Sequence, residues 1–504
     1  MSLSANGIRW PTTLDAIEVT GGRFIPYGTK EWDRYGRSVA NIGNTIIVQN
    51  GPDRVAFWAR LPMIVVAALL AFLVYVWGSG MVGKPAALAA LFLYVVDPTI
   101  LGHSGLVTTD VGFAGFTMLF FFALWLYVCS PTWKRLLLAG AAMGLALGTK
   151  FSAVALPPIC ALLLFAAAGW HCGADTKASA AGQKLPTRRR SRFAKSAGAF
   201  GLIVLVAFCV IEAIYFFPSD PLLYMRGFQQ LRANRDAAFQ VLLGGHLHPQ
   251  RVYSYFAIAY LLKEPIANIV LAVIGLTVLL RSKAITSLQK LFLLMPPAIF
   301  FIGYSLQAEN TGVRYVIPVL PFAFISGGVG LTRLTINGLP WQRVAGLFLC
   351  VWLVVSAVGI YPDHMSYFNE AACLLKDPRQ IGFDGGSRCG PLWLDDSNVD
   401  WGQGMKELKV WLNQNAPTQT VRLLEPFGVS PDSYGVSYDT VQESEILADT
   451  PQPALYVISA HFVARIPALA DKLLPGKHLW LRDLLPTAVV GHSLYVYDFS
   501  GGRK

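Results

Sequence analysis

Apolar residues occur along this chain in blocks of near twenty, separated by short polar stretches. A bilayer core of ~30 Å takes about 20 apolar residues per helix, so each block predicts a spanning helix. Ten are read, at about 58–78, 85–100, 111–128, 135–148, 152–170, 197–217, 265–281, 290–306, 315–331 and 343–361. The second is interrupted by Asp97-Pro98. From Pro362 onward no block is long enough to span. Residues 402–413 instead show helical spacing, with Met405, Leu408 and Leu412 on one face. Residues 420–424, 454–458 and 494–497 read as strands. The expected fold is a polytopic α-helical membrane protein of about ten spans with a C-terminal α/β domain. Its expected parts are an N-terminal segment at 1–56, a transmembrane domain at 57–361 and the α/β domain at 362–504.

Composition narrows the class. Of 504 residues, 54% are hydrophobic and 14% charged, against about 25% charged in a soluble protein. That deficit excludes an ordinary soluble enzyme and a disordered chain. Seven cysteines are too few for a disulfide scaffold of this length. The net charge of +11 is mostly loop charge. Lys134-Arg135, the Arg188–Arg190 cluster, Arg281 with Lys283 and Lys290, and Arg333 with Arg343 fall in alternate loops, which the positive-inside rule makes cytoplasmic. The loops at 101–110, 218–264 and 307–314 and the C-terminal domain are then extracytoplasmic, in a multi-pass plasma (inner) membrane protein. Residues 1–56 fall outside too, although they are polar and have no signal-like core. That placement predicts a further helix ahead of residue 1. No basic stripe is interleaved with exposed aromatics, so nucleic acid is not an expected partner.

Candidate chemistry collects in the outer loops. Asp110 ends the loop LGHSGLVTTD, which also holds His103. The plain reading of Asp110 is a cap for a helix starting at Val111. The functional reading is a general base facing an outer cavity. Asp97 lies within a span, where a charge requires a partner or water. Lys150, Arg60 and Arg314 sit at the outer membrane level, Arg314 just before Tyr315. Each can be a snorkelling cation; together they suit a lipid phosphate. The loop 218–264 carries Arg226, Arg232, Arg235, His246, His248 and Arg251, which reads as a surface amphipathic segment or a lid. His246-x-His248 lacks a third ligand, so no metal is assigned. Cys373 and Cys389 share the outer domain, where a disulfide is permitted.

Five stretches, in order, resemble landmarks of the bacterial branch of the dolichyl-phosphate-mannose–protein mannosyltransferase family, which are GT-C type, polyprenyl-phosphate-dependent glycosyltransferases. They are DPTILGHSGLVTTD (97–110), GLALGTKFSA (144–153), NTGVRYVIPVLPF (310–322), YPDHMSYFNE (361–370) and DDSNVDWGQGMKEL (395–408). The resemblance implies transfer of a sugar from a polyprenyl-phosphate donor to a hydroxyl acceptor on the extracytoplasmic face. It implies Asp110 as catalytic acid-base residue, with Arg60, Lys150 and Arg314 as phosphate contacts; His103 and Tyr315, beside them in the sequence, are further candidate substrate contacts. Asp400, Trp401 and Gln403 match a branch motif without an assigned role. The expected partners are the lipid-linked donor, membrane lipids and an unidentified acceptor. No cofactor is called for, and the residues leave open whether a divalent cation assists. The family's first outer loop carries an acidic pair; Asp15, Glu18, Glu31 and Asp33 do not sit in that context. Two other readings stand beside this one: a lipid or solute transporter, motivated by Asp97 in a broken span, and a non-catalytic partner of another glycosyltransferase.

Overall fold

The computed structural model describes residues 46–47, 49–169, 188–233, 240–425 and 430–501. The four N-terminal acids, Arg235 and the loop before Arg188 lie outside the described residues.

The membrane region runs α1 (Pro52–Val82), α2 (Lys84–Val95), α3 (Pro98–Ser104), α4 (Thr109–Cys129), α5 (Trp133–Thr149), a short turn of tighter helix leading into α6 (Leu156–Gly169), and α7 (Arg188–Ile214). After α8 (Leu223–Ala233) and a hairpin come α9 (Tyr255–Lys263), α10 (Ile266–Arg281), α11 (Ser287–Gln307), α12 (Leu320–Thr335) and α13 (Pro340–Gly359). Among the described residues seven helices are long and apolar enough to cross a membrane, or up to nine if each of two bent pairs is one span. The pairs are α2 with α3, bent by 62°, and α9 with α10, bent by 112°. All ten apolar blocks are therefore helical. The remaining one is α5, whose 17 residues reach about 25 Å at ~1.5 Å per residue.

Small residues set the helix spacing. A Cβ on Gly275 of α10 would lie 1.6 Å from the carbonyl oxygen of Ser326 on α12, the close backbone approach that lets membrane helices pack without a water-driven term. The helix ends sort consistently. Asp53, at the start of α1, pairs with Lys406 of the C-terminal region at 2.8 Å. At the other end of α1, Gln289 Nε2 of α11 donates to the Met81 carbonyl at 3.2 Å. Lys84, Lys134, Arg135, Arg281, Lys283, Lys290, Arg333 and Arg343 fall at this second end, and the 97–110, 150 and 307–315 turns at the first.

Beyond α13 a five-stranded mixed sheet forms, in the order β4-β3-β5-β7-β6. β3 is Val421–Leu424, β4 Tyr438–Thr440, β5 Leu455–Ser459, β6 Ala488–Val490 and β7 Leu494–Asp498; β1 and β2 (Val241–Leu243 and His246–His248) form the earlier hairpin. β3 pairs parallel with β4 and β5, and β7 antiparallel with β5 and β6. All of β5 is buried, because both faces are covered. Leu455 and Val457 pack toward Met405, Leu408 and Leu412 of α14 (Met405–Asn415). Tyr456 and Ile458 pack toward Trp480 and α15 (Ala460–Leu473). Cys373 and Cys389 are joined in a buried disulfide.

Candidate active site

The chain between Val95 and Pro98 breaks because Pro98 offers no N–H and Asp97 supplies the cap. Asp97 Oδ1 accepts from the Ile100 N–H at 2.9 Å, starting α3. Its other oxygen accepts from Asn268 Nδ2 at 2.8 Å. Asp97 is thus fully buried with a protein partner, not water-exposed.

His103 follows on α3. Its Nδ1 lies 2.8 Å from the Thr99 carbonyl. A carbonyl only accepts, so Nδ1 carries the proton and Nε2 is left as an acceptor. That Nε2 is buried and has no partner, and it lies in the field of Asp110.

Asp110 is not the helix cap. Thr108 holds that position and the helix begins at Thr109, which puts Asp110 inside the first turn and buries it. Its carboxylate is met by Lys150, the residue that ends α5, with Nζ 2.6 Å from Oδ1. The Lys150 ammonium also lies 4.2 Å from the centre of the Tyr315 ring, an attractive cation–π placement. Arg314 lies over the same ring at 5.7 Å and over Trp401 at 4.8 Å. Its Nη2 reaches Thr311 Oγ1 at 3.3 Å, while Nε is buried without a partner. Ser152 Oγ and Tyr304 OH, beside Lys150 and Tyr315, are likewise buried and lie within reach of each other.

The C-terminal stretch 395–403 holds this loop in place. Asn398 Oδ1 accepts from the Val313 N–H at 2.9 Å, and its Nδ2 donates to Tyr255 OH and to the Asp395 carbonyl, each at 2.9 Å. Ser397 Oγ donates to the Thr311 carbonyl at 2.6 Å. Gly312 between them has φ 136°, and a Cβ there would lie 2.2 Å from Ser397 Oγ, so only glycine fits. Asp400 is buried and structural: Oδ1 accepts from the Gly402 N–H at 2.9 Å, and Oδ2 from Ser459 Oγ. Burial pushes its carboxyl above the usual range. Gln403 Oε1 accepts from the Trp401 N–H at 2.6 Å, fixing the platform under Arg314. Behind lies Asp395, bonded through one oxygen to Arg465 Nε at 2.7 Å. Burial pushes Asp395 up to about 6 against the pull of Arg465. Asp396 takes the left-handed conformation, φ 57°, and burial raises its carboxyl too, against Arg314.

The structure therefore brings together Asp110, Lys150, Arg314, Tyr315, Trp401 and His103. Arg60 stays apart. It is exposed on α1, its charge acts on Tyr434, and no described contact joins it to Asp110 or Lys150. Among the described residues no three His, Cys, Asp or Glu side chains gather as metal ligands. His246 and His248 are on the β2 hairpin strand, and α8 is amphipathic, with Tyr224 and Phe228 turned onto Phe151 and Arg226 and Arg232 exposed. Sequence reading missed Asn398, Lys263 and Glu264. The last two were legible as adjacent charges inside an otherwise apolar run.

Residues 52–182 match the model of the dolichyl-phosphate-mannose-protein mannosyltransferase family. The family match spans Asp97, His103, Asp110 and Lys150, whereas Arg314, Tyr315 and the 395–403 stretch lie beyond it. No curated protein matches the chain. Among solved structures, it is similar to ArnT from Cupriavidus metallidurans bound to undecaprenyl phosphate, at 15% identity and TM-score 0.44, over 87% of this chain and 83% of that one. It is also similar to the archaeal oligosaccharyltransferase AglB from Archaeoglobus fulgidus in complex with an inhibitory peptide and a dolichol-phosphate, at 12% identity and TM-score 0.43, over 82% of this chain and 60% of that one.

Proposed function

We propose that this protein is a membrane glycosyltransferase that moves a hexose, mannose being the first to test, from a polyprenyl-phosphate donor to a hydroxyl acceptor on the extracytoplasmic face. The observation that carries this reading is the buried Asp110–Lys150 pair beside Arg314 at one end of the membrane region. The family match over that segment supports it. The orientation rests on the basic loops clustering at the opposite end, and a buried disulfide in the C-terminal region suits an oxidising compartment.

The chemistry divides among the named residues. The acceptor oxygen attacks the anomeric carbon of the sugar, and the bond from that carbon to the phosphate oxygen breaks. The electron pair leaves with the phosphate, and the hydroxyl proton goes to the Asp110 carboxylate. An ammonium 2.6 Å away occupies the Asp110 carboxylate. A donor phosphate that draws Lys150 toward itself frees the carboxylate when it is needed. Arg314, unpaired with any carboxylate among the described residues, takes part of the leaving charge with Lys150, a role for preorganised cations. His103 Nε2 offers an acceptor for a second hydroxyl.

The test uses the full chain in proteoliposomes with radiolabelled polyprenyl-phosphate mannose and a membrane extract as acceptor source. Label leaving the lipid fraction in the wild type, and staying there with Asp110→Asn, supports the reading. Label that only crosses the bilayer, still lipid-linked, makes the protein a transporter instead. No transfer of any lipid-linked hexose overturns the proposal.

A further inference from the structure

The two broken spans meet. Asp97 lies at the break between α2 and α3, and Glu264 at the break between α9 and α10. Asn268, in the first turn of α10, bonds Asp97 across the gap at 2.8 Å. The Asp97 and Glu264 carboxyls are hydrogen-bonding neighbours. Both residues are buried to 1% exposure or less. Two carboxyls side by side in so apolar a setting either share a proton or hold a cation between them.

Lys263 does not supply it by contact. Its ammonium donates to the Met365 and Asn398 carbonyls, each at 2.7 Å, and rests on the Phe368 ring. The backbone at the second break is also satisfied. Asn369 Nδ2 donates to the carbonyls of Leu261 at 2.6 Å and Glu264 at 2.7 Å, and the Asn369 N–H to that of Leu262 at 2.8 Å. Three side-chain oxygens stand without a hydrogen bond of ordinary geometry: Glu264 Oε1, Asn268 Oδ1 and Thr99 Oγ1, the last within reach of the Glu264 carboxyl. All three residues are more than nine-tenths buried. One shared proton serves one oxygen of such a set. A hard cation takes oxygens from several directions at once, and the broken ends of membrane helices are where proteins place such ions.

We propose that this junction binds a monovalent alkali cation of sodium size through oxygens of Asp97, Thr99, Glu264 and Asn268, tying the two broken spans together. The site is distinct from Asp110 and Lys150, and the inference does not depend on the transferase reading.

The test is the thermal unfolding midpoint of the full chain in detergent, in NaCl, KCl or choline chloride at matched ionic strength. A ligand that binds only the folded state raises the midpoint saturably. The expected result is a saturable rise in NaCl over choline chloride, lost in Glu264→Gln. Thr99→Val is expected to raise the half-saturating sodium concentration about tenfold, as loss of one bonded oxygen implies. Equal midpoints in NaCl and choline chloride overturn the proposal and leave a proton-sharing acid pair. A sodium-specific rise that both variants retain unchanged also overturns it, because the ion then binds elsewhere. If Glu264→Gln does not fold, Thr99→Val decides alone: an unchanged half-saturation overturns the site.

Discussion

Two halves build the candidate site, and they neutralise charge in opposite ways. The half from the family-matched segment is internally paired: Asp110 and Lys150 satisfy each other at 2.6 Å, with Asp110 buried. The half from the 307–315 turn and the C-terminal stretch is not. Arg314 keeps its charge between the Tyr315 and Trp401 rings, with Nε unpartnered. A paired charge is stable without ligand and must be opened to react. A charge held on aromatic faces waits for an anion. On the proposed function, switching then falls to the first half and capture to the second.

The sharpest way to break this contrast is Asp110→Asn. If Asp110 is the base, sugar transfer in membranes falls by about 10²–10⁴-fold, the usual worth of a positioned general base, while donor binding changes little. A fall confined to donor KM would instead make Asp110 only the holder of Lys150. The next effect belongs to the capture half. Arg314→Ala is expected to lower kcat/KM by about 10²–10³-fold, in line with removal of a preorganised group at developing charge. Arg314→Lys recovers part of the loss, since the charge stays but the planar stack on Trp401 does not. Equal activity of the two variants would mean that stacking, not charge, is what Arg314 contributes.

Sequence carried the first half well and the second half poorly, for a physical reason. Helices announce themselves by composition and length, so all ten apolar blocks were legible, and Asp110 and Lys150 stood out as charges at helix ends. The breaks were half legible: Asp97-Pro98 is a visible cap and stop, whereas the second bent pair was read as one span beginning at 265, which left Lys263 and Glu264 in a loop. The short edge strands β4 and β6 escaped because three residues carry too little alternation to register. Asn398 escaped because nothing local marks it. Its partners Val313 and Tyr255 lie 85 and 143 residues away in sequence, and such a clamp exists only once the fold has closed. Arg60 failed in the opposite sense. It has the right charge at the right depth, but the azimuth of α1 turns it from the site, and hydropathy gives depth without azimuth.

The clamp offers a prediction of intermediate size. Asn398→Ala removes three side-chain hydrogen bonds at once and leaves the Val313 N–H without its acceptor. A loss of about 2–4 kcal/mol in stability is expected, since buried unsatisfied groups cost about 1–3 kcal/mol each. Denaturant unfolding of the C-terminal region measures it. If stability holds but transfer falls as far as in Arg314→Ala, the clamp acts only by placing the capture loop. A smaller effect follows for its platform. Trp401→Leu removes a cation–π contact worth about 0.5–2 kcal/mol, so donor KM should rise by roughly twofold to thirtyfold with kcat nearly kept.

The smallest expected effect tests how firmly the C-terminal sheet is held to the membrane region. His492, in the turn between β6 and β7, places Nδ1 2.7 Å from Asp363 just beyond α13 and Nε2 3.6 Å from Asp384. These two carboxylates hold its imidazolium up to about 9, against partial burial. The folded pKa lies above the usual value near 6.5, so the folded state binds the proton more tightly. The tie then contributes fully below about pH 6.5 and fades as pH rises through about 9. The unfolding midpoint of the wild type should decline across that window, and His492→Gln should flatten that part of the decline. A decline of equal slope in the variant would mean that the turn, and not the charge, docks the sheet. The capture half of the site would then owe its position to the Asn398 clamp and to Asp400, which is bonded to Ser459 at the end of β5, leaving pH without leverage on Arg314 through this contact.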